Sequence, residues 1–129
     1  IGQRLLLGEV PKSLTESVAI GSKVEQLRFK DIRSVQQSLS DLGEKKAYVF
    51  IFTTTQCPIV KKSIPKIVEM SRTYDSAEVA FVSVNVGASD TIRDMAGHAI
   101  DFAIPFLSVK DYDLSVATAL GVGRVPECV

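Results

Sequence analysis

Apolar positions along this chain fall into two rhythms, and the rhythms predict its elements. Val24-Glu25-Gln26-Leu27-Arg28-Phe29 alternates apolar and polar residues, as a half-buried strand does. Ser38-Leu39-Ser40-Asp41-Leu42, closed by Gly43, reads as a short helical turn. Ala47-Tyr48-Val49-Phe50-Ile51-Phe52 is an unbroken apolar run rich in aromatic and β-branched residues, the pattern of a strand covered on both faces. Val60, Ile64, Ile67 and Val68 then recur at helical spacing, predicting an amphipathic helix from Pro58 to about Tyr74, kinked at Pro65. Glu78 to Val86 is a second buried strand. Thr91 to Ala103 is a helix whose stripe is Ile92, Met95, Ala96, Ala99, Ile100 and Ala103. A short strand over Phe106 to Val109 follows. Asp113 is placed to cap a helix that runs to about Leu120 and ends at Gly121. Val125-Pro126-Glu127-Cys128-Val129 begins a last strand.

Strands that alternate with helices call for crossover units around a mostly parallel sheet, an α/β architecture with helices on both faces. Residues 1–19 read as an N-terminal extension, broken by Gly8 and Pro11, with Leu5-Leu6-Leu7 as its one strand-like run. The domain proper is expected over 20–129. The chain opens on Ile1, which predicts a processed or trimmed start. It closes on Val129 inside a strand, which predicts a further hairpin and helix beyond it.

Composition narrows the function classes. The 129 residues fit one domain with a sizeable core. The 15 Lys and Arg balance the 15 Asp and Glu, which removes the electrostatic footprint of a nucleic-acid binder. No apolar run approaches the roughly 18 residues of a membrane span. Two cysteines, Cys57 and Cys128, and one histidine, His98, are too few for a disulfide framework or a Cys-rich zinc site. His98 lies off the apolar stripe of its helix and is expected at the surface.

The stretch from Phe52 to Lys61, Phe-Thr-Thr-Thr-Gln-Cys-Pro-Ile-Val-Lys, carries the candidate chemistry. Cys57 falls between the end of a buried strand and the start of a helix, and Pro58 suits the first helical position. The helix N-terminus carries about half a positive charge and unpaired N–H groups. Lys61 adds a full charge one turn along. Each favours a thiolate over a thiol, and the thiolate is the nucleophile for attack on a disulfide or a peroxide. The alternative is a buried structural cysteine, a common fate of free thiols. Cys128 lies two residues beyond Pro126. It is either a small core residue or a resolving thiol. A regular strand would place it too far from Cys57 for a disulfide, which needs Cα atoms about 4.4–6.8 Å apart. Lys62 reads as a solvated helix residue.

These residues resemble the thioredoxin superfamily, and within it the redoxin branch of thiol peroxidases and secreted thiol–disulfide proteins. Leu39-Ser40-Asp41-Leu42 is similar to the branch's short turn, and Ala47 to Phe52 to its central strand. Cys57 falls on the nucleophile, with Lys61 and Pro65 on the lysine and proline that follow it. Leu120-Gly121-Val122 resembles the turn before the family's cis-proline dipeptide, here Val125-Pro126. The resemblance implies a thioredoxin-like fold with a central mixed sheet. It also implies a thiol-dependent oxidoreductase needing no cofactor, with Cys57, Thr54 and Lys61 as catalytic residues. Val125, Pro126 and Pro58 would then border the substrate, a peroxide or a protein or small-molecule thiol. It points to an extracytoplasmic, periplasmic setting, with the cytoplasm as the alternative.

The departures reshape that expectation. Val60 stands where a dithiol motif has its second cysteine, Gln56 replaces the usual tryptophan, and Ile51 replaces the buried acid. A general thioredoxin-like reductase is therefore not expected. Peroxiredoxins need one cysteine and a threonine three residues before it, which Thr54 supplies. Their proline is Phe50 here and their arginine falls at Pro126, with Arg124 two residues earlier. A copper-delivery member would have a second cysteine where Lys61 stands, so no metal is expected. Two functions remain: a one-cysteine oxidoreductase, by peroxide reduction or mixed-disulfide exchange, and a redox-inert binding module that retains the fold.

Overall fold

The computed structural model describes residues 20–24, 27–74 and 78–129. The Leu5–Leu7 run and the rest of the N-terminal extension lie outside the described residues, as do Glu25 and Gln26.

The long apolar run forms β3 (Ala47–Thr53), the centre of a four-stranded sheet. β3 pairs in parallel with β4 (Val79–Asn85), which pairs in parallel with β5 (Leu107–Lys110). The edge strand β6 (Glu127–Cys128) joins β3 on its other side, antiparallel, giving the order β5-β4-β3-β6. A separate hairpin of β1 (Arg28–Lys30) and β2 (Gln36–Ser38) precedes a 3₁₀ turn over Leu39–Leu42 that Gly43 closes at φ 83°. The three helices among the described residues are α1 (Pro58–Thr73), α2 (Ile92–Asp101) and α3 (Ser115–Leu120).

Alternation along β3 explains its uniform apolarity. Phe50 and Phe52 enter one core with Phe29, Val82, Val84, Val109 and residues of α3. Phe29 and Phe50 meet edge to face at 6.1 Å. Ile51, on the opposite face, is equally buried. There α1 contributes Val60, Ile64 and Val68 to a second core, closed by Phe102, Ile104 and Phe106. Successive crossovers from β3 to β4 to β5 step in one direction, which puts both crossover helices on one face. The β1–β2 hairpin and α3 take the other. Full burial of each such side chain contributes about 1.5–3 kcal/mol. The α/β architecture with helices on both faces is the one the pattern predicts, and the mixed sheet is the one the resemblance implies.

Three local expectations change. Ile100, assigned to the apolar stripe of α2, is 78% exposed, while Met95 is the buried residue of that helix. α2 ends at Asp101, so the helical spacing no longer governs the chain that leads Phe102 and Ile104 into the core. At α3, Asp113 accepts the Ser115 amide at 3.1 Å. The next two amides, of Val116 and Ala117, donate to Asp111 at 3.1 and 2.9 Å, because Leu114 turns the chain through a left-handed φ of 58°. Cys128 is exposed, in contrast to the core placement considered for it. It lies on β6, beside Ile51 of β3.

Candidate functional site

β3 ends at Thr53, and a short loop, Thr54-Thr55-Gln56, carries the chain to Cys57. Cys57 is the N-cap residue of α1, with extended backbone at φ −72° and ψ 119°, and Pro58 occupies the first helical position. The Cys57 carbonyl accepts the Lys61 amide at 3.1 Å and so closes the first turn. Proline has no N–H, so the amides of Ile59 and Val60 are the first donors of the helix, and neither has an intrahelical acceptor. The Cys57 side chain is half-buried against the Val60–Ile64–Val68 core. Its thiol therefore sits where strand, loop and helix start converge.

The other residues singled out in the sequence divide around that point. Thr54 is half-buried in the same loop. Pro58 and Lys61 are exposed on the first turn of α1. Val125 and Pro126 are half-buried and joined by a cis peptide bond, as the resemblance implies. β6 pairs Ile51 with Cys128 and Phe52 with Glu127, so the same register continued sets Pro126 opposite Thr53, at the end of β3 that leads to Cys57. Arg124 is exposed. Cys128 pairs six residues upstream of Cys57 in the β3 register, and both thiols are free. Partial burial, then the adjacent Glu127 carboxylate, push the Cys128 thiol above its ordinary value.

Two features of the site escaped the sequence reading. The first is a buried polar network beneath the loop. Thr55 donates its amide to Asp90 Oδ2 at 2.8 Å and its hydroxyl to Asp90 Oδ1 at 2.7 Å. Asn85, at the end of β4, donates from Nδ2 to Asp90 Oδ2 at 2.9 Å. Lys110, at the end of β5, donates from Nζ to Asn85 Oδ1 at 3.0 Å and to the Gly87 carbonyl. All four side chains are buried. Burial by itself raises the Asp90 carboxyl. The Thr55 amide, the Asn85 amide, the Thr55 hydroxyl and the Lys110 charge outweigh it and hold the group below its ordinary range. The available signal was the position of polar residues at the last places of apolar strands, Asn85 and Lys110, where a strand leaves the core.

The second feature is His98. It is half-buried rather than a surface residue, with its ring 4.8 Å from that of Phe102 and Nε2 buried without a hydrogen-bond partner. Burial first, then the Lys61 charge, lower its pKa against the opposing pull of Asp101 and Asp90. His98 and Lys61 line an open groove of about 450 Å³ that runs along Thr55 and Gln56, beside the Cys57 loop. No group of three or more His, Cys, Asp or Glu side chains with metal-binding geometry occurs among the described residues. No helix among them is long and apolar enough to cross a membrane.

Comparison with solved structures finds the same fold repeatedly. A secreted disulfide oxidoreductase of Mycobacterium tuberculosis, homologous to E. coli DsbE, is 20% identical with a TM-score of 0.69 over 81% of this chain and 74% of its own. The thioredoxin domain of a thiol-disulfide oxidoreductase of Bacteroides vulgatus is 16% identical, with a TM-score of 0.72 over 88% of this chain and 81% of that one. A protein of Sinorhizobium meliloti 1021 is 19% identical at a TM-score of 0.79, over 88% of this chain, which spans 64% of that protein's length. At these identities the likeness is one of fold. No curated protein matches the chain in sequence. The family model described as Redoxin matches residues 19–128. With strand, loop and helix start arranged around Cys57 on a thioredoxin-like sheet, and with that match across nearly all of its length, the chain belongs to the redoxin family.

Proposed function

We propose that this protein is a thiol-dependent oxidoreductase that works through Cys57 alone, by mixed-disulfide exchange. The observation that carries the reading is the position of Cys57 at the N-cap of α1, half-accessible, before the first free amides of the helix. A helix start is a place that favours negative charge, and a thiolate is the nucleophile that disulfide exchange requires. Thr54 and Lys61 act with it in this reading, and Pro58, Val125 and Pro126 border the bound substrate. The thiolate attacks one sulfur of a partner's disulfide. A bond forms between Cys57 Sγ and that sulfur, the partner's own S–S bond breaks, and the second partner sulfur leaves as a thiolate that takes up a proton. An outside thiol then releases Cys57, because Val60 stands where an internal resolving cysteine would be. The free state of Cys128, and its place opposite Ile51 well back along β3, support a mechanism without it. Disulfide exchange is preferred to peroxide reduction because the peroxiredoxin arginine position is Pro126 and Arg124 is exposed. An extracytoplasmic setting belongs to the same proposal, supported by the secreted M. tuberculosis neighbour.

Peptide-mapped mass spectrometry tests this after incubation with a disulfide-linked glutathione dimer and, separately, with dilute hydrogen peroxide. The expected product is a dithiothreitol-reversible mixed disulfide on Cys57, absent from Cys57→Ser. A Cys57–Cys128 crosslink would make the protein a two-cysteine enzyme. Rapid sulfenic acid formation with sluggish disulfide reaction would favour peroxide reduction. An accessible but unmodified Cys57 would leave the redox-inert binding module.

A further inference from the structure

Asp90 has no place in the chemistry just described, yet its buried carboxylate holds the loop that carries Cys57. We infer that Asp90 is a positioning residue for Cys57: by gripping Thr55 through both its amide and its hydroxyl, it fixes the loop that presents the thiol to a disulfide. This deepens the reading of Cys57 as the working thiol and rests on it.

The geometry supports a specific hold rather than general burial. Both carboxylate oxygens are used on Thr55, one on the amide and one on the hydroxyl, at 2.8 and 2.7 Å. Only Gln56 separates Thr55 from the N-cap residue Cys57, so little slack lies between the grip and the sulfur. Asp90 is itself anchored. Its amide donates to the Gly87 carbonyl at 3.2 Å, and its Oδ2 takes the Asn85 amide. Asn85 is held in turn by the Gly87 amide at 2.9 Å and by Lys110. The network therefore ties the Cys57 loop to the ends of β4 and β5. Gly87 matters because a Cβ there would stand 2.3 Å from Asp90 Oδ2, so only glycine lets the carboxylate lie where it does. A buried carboxylate is costly to place where apolar residues would serve stability as well. Its position under the loop gives it a purpose that packing alone does not.

The predicted consequence is a loss of Cys57 reactivity in a protein that still folds. Thr55→Val keeps the amide bond and removes the hydroxyl bond, whereas Thr55→Ser keeps both. Asp90→Asn puts an amide donor against the donors of Thr55 or Asn85. Gly87→Ala displaces the carboxylate without touching the loop. The probe is 2-hydroxyethyl disulfide, a small neutral disulfide, with adduct formation at Cys57 followed by peptide mass on protein shown by circular dichroism to be folded. Misplacement on the order of 1 Å can cost up to about a hundredfold, so Thr55→Val, Asp90→Asn and Gly87→Ala are expected to slow Cys57 by about tenfold, with Thr55→Ser restoring the rate to within about twofold. Should Asp90→Asn not fold, the Thr55 pair and Gly87→Ala decide the matter. Folded Thr55→Val and Gly87→Ala reacting at the parental rate would overturn the inference while the function stands. A parental Cys57 that does not react at all would overturn the function and the inference with it.

Discussion

His98 shows how far a single side chain departs from its sequence reading. It lies off the apolar stripe of α2, yet its ring meets Phe102 and its Nε2 is buried. Periodicity along one helix does not reveal what the chain after the helix folds over it. Because His98 is the chain's one histidine, its imidazole resonances are unambiguous. Burial and the nearby Lys61 favour the neutral ring, so its NMR titration midpoint is expected below the ordinary value of about 6.5. A midpoint at or above that value would mean that Lys61 and burial do not govern it. Cys128 gives the second residue-scale prediction. Burial and Glu127 raise its pKa, so at pH 8 it is expected to alkylate more slowly than a free cysteine. A rate equal to that of a model thiol would contradict this. The place of Cys57 between strand and helix was legible, because a strand, a polar loop, Cys-Pro and a helical stripe occur in that order. Thr55 was not, because three consecutive threonines look alike until the fold decides which one meets Asp90.

At the scale of elements, the sequence was most readable where burial is two-sided or periodic. β3 and α1 fall within a residue of their predicted limits, since Ala47–Phe52 has no polar interruption and Val60, Ile64 and Val68 all turn one way. α3 was readable in extent but not in capping. Asp111 and Asp113 both precede it, and only the turn at Leu114 determines which carboxylate reaches which amide. The loop before Cys57 was illegible in the same way, because its partner Asp90 comes from the turn before α2, held by Asn85 at the end of β4, which Lys110 at the end of β5 holds in turn. The α1 core invites a direct test. Ile64, on the buried face of the helix that Cys57 caps, is 1% exposed. Ile64→Ala is expected to cost about 2–5 kcal/mol of unfolding free energy, measured by urea denaturation. A loss below about 1 kcal/mol would mean that the helix can collapse over the gap, and that α1 is held less firmly than its packing indicates.

For the whole molecule, buried carboxylates link stability to pH. Asp31 accepts from Arg33, Val35 and Gln37 in the β1–β2 hairpin, and Asp90 from Thr55 and Asn85 beneath the sheet's end. Burial opposes ionisation at both, but the hydrogen bonds and neighbouring positive charge win, and both pKa values are lowered. A lowered folded-state value means stabilisation that is complete above the unfolded carboxyl value of about 3.9 and is lost as pH falls through the lower folded value. Urea midpoints are therefore expected to hold steady near neutrality and to drop steeply below about pH 4, less steeply in Asp90→Asn. A midpoint indifferent to acid would contradict the network's role. The fold class was legible because strand and helix rhythms alternate along the chain, whereas the polar network emerges only once the sheet sets Thr53, Asn85 and Lys110 side by side. The central claim is that this fold activates Cys57 as a nucleophile. It is tested most directly by the rate of mixed-disulfide formation at Cys57 in the folded protein and in urea-unfolded protein at the same pH. The account predicts faster reaction when folded, despite partial burial; a folded rate equal to or below the unfolded one would contradict it.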